Sequence, residues 1–211
     1  MAETQIAVIP YPAHYESDVV LRDGSTLRLR PIRPGDAEGL LLLHDRLSLQ
    51  SQRFRFFELA ASRADEVSRL LQADHDNEFV LVAEAGNRLV GVATYIRDPR
   101  TMERAEVAFV IADALQGRGV GTRMLESLAG VARDHHIETF DAYVLVDNDR
   151  MIRVFTDSTS RLCWRTSPSP PALAWRCSPT QGDRPFWLRT RVKDTVCSWL
   201  PSAMRRFAGC A

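Results

Sequence analysis

Apolar and polar positions change period several times along the chain, and each change marks an element. "TLRLR", Thr26 to Arg30, alternates strictly. With the Asp23-Gly24 turn pair before it, "VVLRDGSTLRLRPIR" predicts a β-hairpin closed by Pro31 and Pro34. The leucine-rich "AEGLLLLHDRL" predicts a helix capped by Asp36 and ending near Leu47. Ser48 opens a second short helical stretch, "LQSQRFRFFEL", whose Phe54, Phe57 and, on a neighbouring face, Phe56 suit a core or a pocket wall. A third helix is expected over roughly Ala64 to Ala73.

"EFVLVAEAGNRLVGVATYIRD" then reads as apolar strand, Gly-Asn turn, apolar strand, and "AEVAFVIA" as a further strand from Ala105 to Ala112. Parallel neighbours need crossovers of about a dozen residues or more, so these short connections predict an antiparallel meander. An apolar helical face follows at Val120, Met124, Leu125, Leu128, Val131 and Ala132, and His135-His136 end it. "ETFDAYVL" is a strand, and "DNDRMIRVFTD" starts a helix with Asp147 or Asn148 as its cap. The order is mixed α/β (α+β), with a mainly antiparallel sheet and one strand–helix–strand unit.

Composition divides this pattern in two. Residues 1–159 hold 25 acidic and 18 basic residues, a net charge near −7, whereas residues 160–211 hold nine basic and two acidic ones. All four tryptophans, all four cysteines and six of the eleven prolines lie in the later part. The expected organisation is an N-terminal extension over 1–17, a folded domain over 18–158 and an Arg/Pro/Trp/Cys-rich tail over 159–211. The tail's cysteines have no CxxC spacing and no histidine between them, so a zinc site is not expected. Its arginines and tryptophans could stack on nucleic acid, but no period organises them, and a divergent or frameshifted extension is the preferred reading. No apolar run approaches the roughly 20 residues that span a bilayer. The N-terminus lacks a basic segment followed by an apolar core, so a cytoplasmic protein without membrane or nucleic-acid partners is expected.

The candidate chemistry lies at "QGRGVG", Gln116 to Gly121, between the strand and the amphipathic helix. Amides at a helix start point at an anion, glycine lets a ligand approach the backbone, and Arg118 adds a cation. A tight turn without a ligand is the plainer alternative. A nucleotide P-loop would need a lysine, and the chain's only lysine is Lys193. A dinucleotide fingerprint would place the third glycine one residue later and follow a first strand, which this one does not.

This stretch resembles the acyl-CoA-binding motif of the GNAT family of N-acetyltransferases, Gln/Arg-x-x-Gly-x-Gly/Ala, with Gln116, Gly119 and Gly121 at its fixed positions. "LRDGSTLRLRPIRPGDAEGLLLLHDRLSLQSQRFRFF" is similar to the opening of GNAT domains that include bacterial protein lysine acetyltransferases. "VLVDNDRMIRVF" is similar to the segment after the family's fifth strand. The resemblance covers roughly residues 18–158. It implies acetyl-CoA as co-substrate, no metal, and direct acyl transfer to an amine, either a protein lysine or a small amine. It further implies that the CoA pyrophosphate rests on the backbone of Gln116, Gly117, Arg118, Gly119, Val120, Gly121 and Thr122. The pantetheine arm would run beside Phe109, Val110 and Ile111, with Asn148 and, more weakly, Met151 and Phe155 on its other side.

Transfer from sulfur to nitrogen needs a proton acceptor. Glu106, on the strand entering the glycine turn, resembles an acid used by related protein acetyltransferases; Glu103 is the weaker alternative, and a solvated face residue the plain one. His44, His75, His135 and His136 read as structural or surface residues. Two departures stand out. Phe155 occupies the position where many relatives carry a tyrosine acid, and after residue 158 the family's Gly-Phe and two final strands give way to "TSRLCWRTSPSPP". The sheet's C-terminal strands are therefore expected to be missing or replaced, leaving an edge open to association as a homodimer. A non-catalytic acyl-CoA-binding or regulatory domain is the rival reading.

Overall fold

The computed structural model describes residues 10–56, 63–145, 147–157 and 187–193. Among these residues, seven strands form one sheet in chain order. They are β1 (Ser17–Val20), β2 (Thr26–Pro31), β3 (Glu78–Ala85), β4 (Arg88–Asp98), β5 (Thr101–Ile111), β6 (Thr139–Leu145) and β7 (Trp187–Lys193). The first four pairings are antiparallel and the last two parallel. Helices α1 (Ala37–Asp45), α2 (Leu49–Phe56) and α3 (Arg63–Leu71) lie between β2 and β3. Helix α4 (Val120–Asp134) joins β5 to β6, and α5 (Asp149–Asp157) follows β6. The expected meander is present, and so is the expected strand–helix–strand unit, β5–α4–β6. β7, parallel to β6 and following α5 in the chain, adds a second one that the sequence pattern did not predict. Phe57 and the tail outside 187–193, with its four cysteines, lie outside the described residues.

The sheet is buried on both faces, which explains why its central strands are nearly continuous apolar runs rather than alternations. On β3, Phe79, Leu81 and Ala83 face a core shared with Met124, Leu125 and Leu128 of α4 and Phe155 of α5. Val80 and Val82 face the opposite core, with Leu40 and Leu43 of α1 and Val67 and Leu70 of α3. β5 begins four residues before its apolar run. Thr101 pairs with Asp98 of β4, and the exposed Met102 and Glu103 fall in an irregularity of the register before the ladder resumes at Arg97↔Ala105.

Two local expectations change. Asp36 stands at the start of α1 but makes no side-chain cap there. Its carboxylate instead accepts from the Arg33 amide at 2.7 Å and from two nitrogens of Arg30, each at 2.8 Å. The tail also supplies a strand. β7 pairs with β6 along its whole length, Thr139↔Trp187 to Leu145↔Lys193, so the replacement for the family's last strands covers this edge with a parallel neighbour.

The C-terminal end of α4 is tied to β4 through His135. The Tyr95 hydroxyl donates to the Asp76 carbonyl at 3.0 Å and lies 2.6 Å from His135 Nδ1, so the hydrogen-bond network assigns the imidazole proton to Nδ1, which donates to the Tyr95 oxygen. Burial lowers the His135 pKa, and it also lowers those of His44 and His75. The unfolded chain therefore binds more protons than the native one once the pH falls below about 6.5, the ordinary histidine value. The contribution of the neutral imidazoles is complete above that value and is lost as the pH falls toward and through the native pKa values. Thermal melts should give a lower midpoint at pH 5 than at pH 7, and His135→Gln should reduce that pH dependence. An unchanged slope in the variant would assign the effect to other groups.

Candidate active site

The site begins where two strands part. β5 and β6 pair only from Arg104↔Thr139 to Val107↔Ala142. β5 then continues to Ile111, held on its other side by β4 as far as Gly91↔Ile111, while β6 continues to Leu145 beside β7. From Ala108 to Ile111, β5 thus has no ladder partner toward β6. The gap opens into a cleft of about 790 Å³, with Ala108, Phe109, Val110 and Ile111 on one wall and Tyr143 and Val144 on the other. An exposed strand edge inside a cleft can take an extended ligand carrying amides as an added strand.

At the end of β5 the chain makes a short turn, Asp113–Leu115, before Gln116 and the glycines. The three glycines serve different ends. Gly117 and Gly119 have φ of +78° and +90°, conformations that a side chain disfavours, and Gly119 is the N-cap of α4 with no side-chain cap. Gly121 is already helical, but a Cβ there would stand 3.1 Å from the Ile111 side chain and 3.3 Å from Val154. Its smallness lets α4 approach β5 and α5. Gly119→Ala should cost about 1–2 kcal/mol of stability through backbone strain. Gly121→Val should cost about 1–3 kcal/mol through overpacking. Chemical denaturation measures both. Only in the Gly121 variant should Ile111→Val or Val154→Ala recover part of the loss.

Gln116 fastens this turn from within. Its Nε2 donates at 3.0 Å to the Ile111 carbonyl, to Asp113 and to Ser51 Oγ, and its Oε1 accepts from Arg150 at 2.6 Å. Asp113 in turn accepts from the Ser48 amide at 2.6 Å and the Ser51 hydroxyl at 2.5 Å. These bonds fix the start of α2, which contributes Gln50, Ser51, Phe54 and Arg55 to the cleft.

Glu106 lies at the fork itself. It is exposed, lines the cleft, and pairs across β6 with Asp141, whose carboxylate is engaged by Arg104 at 2.6 Å. Arg55 bears on the same region. Its guanidinium donates to Glu66 at 2.7 Å, and the Glu106 carboxylate is among the charges that favour its protonated form, against the larger effect of burial. Glu103 is on β5 outside the cleft lining. Asn148 is buried and lines the cleft, while its Oδ1 accepts from the Met151 amide at 3.2 Å, which identifies it as the cap of α5. Met151 and Phe155 complete that wall, with the Phe155 ring 6.0 Å from that of Phe109.

The structure thus brings Glu106, Phe109 to Ile111, Gln116, Gly117, Gly119 to Thr122 and Asn148 to one cleft. Arg118 differs. Its side chain pairs with Asp23 in the β1–β2 turn at 3.1 Å and does not line the cleft. Arg22, from the same turn, does line the cleft, together with Arg55, Arg150 and Arg153, and no local pattern marked it. None of the five histidines lines the cleft. Among the described residues no group of histidine, cysteine or acidic side chains could hold a metal ion.

A mixed sheet that parts beside an uncapped, glycine-rich helix start defines an acyl-CoA-dependent acyltransferase fold. A profile of the acetyltransferase (GNAT) family matches residues 46–157, and the chain belongs to that family. Over 71% of its length it is similar to the GNAT domain of S. lividans PAT, at 41% identity and a TM-score of 0.66, covering 89% of that structure. It is 30% identical over 138 residues to the acetyltransferase Pat of Mycolicibacterium smegmatis, spanning 64% of this chain and only 41% of that relative. Mycobacterium smegmatis RimJ in complex with CoA-disulfide shares the fold, at 18% identity and a TM-score of 0.55 over 67% of this chain and 72% of that one.

Proposed function

We propose that the chain transfers an acetyl group from acetyl-CoA directly to an amine, with a protein lysine as the favoured acceptor. The observation that carries this reading is the juxtaposition of an unpaired β5 edge, the uncapped start of α4 and an exposed glutamate at the fork between them. The first-turn amides of α4 and the left-handed glycines fit a pyrophosphate, which needs donors and close backbone approach. The free edge of β5 fits the amide-bearing pantetheine arm, and an amide on this edge can stabilise charge developing on the thioester oxygen. Similarity to the acetyltransferase Pat supports acetyl as the group moved.

In this reading Glu106 takes the proton of the attacking amine, directly or through one water. The amine nitrogen then bonds to the thioester carbon, the carbon–sulfur bond breaks, and sulfur leaves as thiolate. Phe155, 3% exposed, has no proton to offer that thiolate, so its departure relies on thiolate being an adequate leaving group. Phe155 also motivates the second reading, an acyl-CoA-binding domain without turnover.

Acetyl-CoA binding by calorimetry, followed by thiol release with amines and lysine peptides, distinguishes the two. Acceptor-dependent release is expected; binding without it would leave only the binding domain, and no binding would remove both.

A further inference from the structure

The cations around the start of α4 are not equivalent. Arg118 is paired with Asp23 at 3.1 Å, Arg123 with Glu126 at 2.9 Å, and Arg150 is spent on Gln116 at 2.6 Å. Among the described residues, Arg22 has no hydrogen-bond or ion-pair partner, although it lines the cleft. A Cβ placed on Gly119 would meet one atom within 4 Å, the Arg22 Nε at 4.0 Å. The space above the left-handed glycine is therefore bounded below by helix amides and at its side by an unneutralised guanidinium.

Arg22 is also held in place. The Leu21 amide donates to the Ser25 carbonyl at 2.8 Å and the Gly24 amide to the Leu21 carbonyl at 3.0 Å. Asp23 accepts from the Ser25 amide and hydroxyl while its other oxygen takes Arg118. One carboxylate thus stiffens the turn and docks it on the glycine loop, 95 positions away in sequence.

We infer that Arg22 is a phosphate-binding residue for the nucleotide end of the acyl donor, and that the Asp23–Arg118 pair positions it. This inference rests on the acetyl-CoA reading above and extends it to donor specificity. Planar guanidinium and phosphate make paired, charge-assisted bonds, which the neutral pantetheine arm cannot make. Arg22 would therefore favour CoA thioesters over acyl pantetheines, which share the arm and lack the phosphates.

The test compares acetyl-CoA, acetyl-dephospho-CoA and S-acetylpantetheine on wild type, Arg22→Ala and Arg22→Lys. Arg22→Ala should weaken acetyl-CoA binding on the order of tenfold, with a smaller salt dependence and an unchanged melting temperature. Arg22→Lys should recover part of the loss, and S-acetylpantetheine should be indifferent to both. A penalty retained with dephospho-CoA identifies the pyrophosphate as the group held, and one that disappears identifies the 3′-phosphate. Adding Arg118→Ala to Arg22→Ala should cost little more, because the pair acts through Arg22. Unchanged acetyl-CoA affinity in Arg22→Ala, or an equal loss for S-acetylpantetheine, would overturn the inference while leaving the donor reading intact. Failure of the wild type to bind acetyl-CoA would strike both.

Discussion

Glu106→Gln should reduce acetyl transfer by roughly 10²–10⁴-fold and leave acetyl-CoA affinity within about twofold of wild type, since its side chain makes no part of the phosphate cradle. The substitution keeps size and hydrogen-bonding reach and removes only the ability to take a proton. Position makes the effect specific. Glu106 is exposed at the last ladder positions before β5 and β6 part, where an arm lying along β5 would end. The neighbouring carboxylate, Asp141, is engaged by Arg104 and cannot substitute freely. Glu103→Gln is the matched control, because Glu103 is outside the cleft and its loss should leave the rate unchanged. Steady-state kinetics with a lysine peptide, together with calorimetric titration of acetyl-CoA, separates the two quantities. If Glu106→Gln turned over at the wild-type rate, water alone would suffice as acceptor of the proton.

Features set by neighbours in sequence were the legible ones. The Asp23-Gly24 turn, with Gly24 at φ +82°, and the Gly86-Asn87 turn, with Gly86 at +59°, are short-range chemistry that the residues themselves require. The same holds for Gly119 at the start of α4 and for Asn148 capping α5. What distant segments impose on one another was not legible. The Asp113 clamp on Ser48 and Ser51 spans more than 60 positions, and the proximity of Arg22 to Gly119 depends on how the β1–β2 turn docks. The fork is a property of strand pairing: apolar content predicts β5 and β6 but not where their ladder stops. The tail's strand was missed because "WLRTRVK" adjoins the least periodic part of the chain, and its pairing with β6 comes from the sheet's need for an edge partner. Gly121 looked like part of the anion cradle, yet its lack of a side chain is explained by contact with Ile111 and Val154.

Arg30 is the most instructive of these cases, and its loss should be the most damaging to stability. The alternation in "TLRLR" places Arg28 and Arg30 on the polar side of the hairpin, and Arg28 is indeed exposed. Arg30 is only 5% exposed, because the chain from Pro34 into α1 covers that side of β2. Its guanidinium makes four hydrogen bonds: two of 2.8 Å to Asp36, one of 3.0 Å to Glu84 and one of 3.2 Å to the Pro31 carbonyl. These carboxylates, Asp36 foremost, hold its pKa above the ordinary arginine value despite burial. Arg30→Met should therefore destabilise the domain by about 3–5 kcal/mol, since it strands the Asp36 carboxylate without its counter-charge in a site closed to water. Asp36→Leu alone should cost a similar amount, by removing two of the four bonds to the buried guanidinium and releasing the Arg33 amide. The double variant Arg30→Met/Asp36→Leu should recover a large part of the loss, because replacing both members of a buried pair with apolar groups removes the desolvation penalty along with the attraction. Glu84, 22% exposed at its side chain, retains water and tolerates the change. Urea denaturation of the four proteins closes the cycle. Additive losses would mean that Arg30 stabilises the fold through its packed stem and Glu84, and that Asp36 acts separately through the Arg33 amide at the entrance to α1.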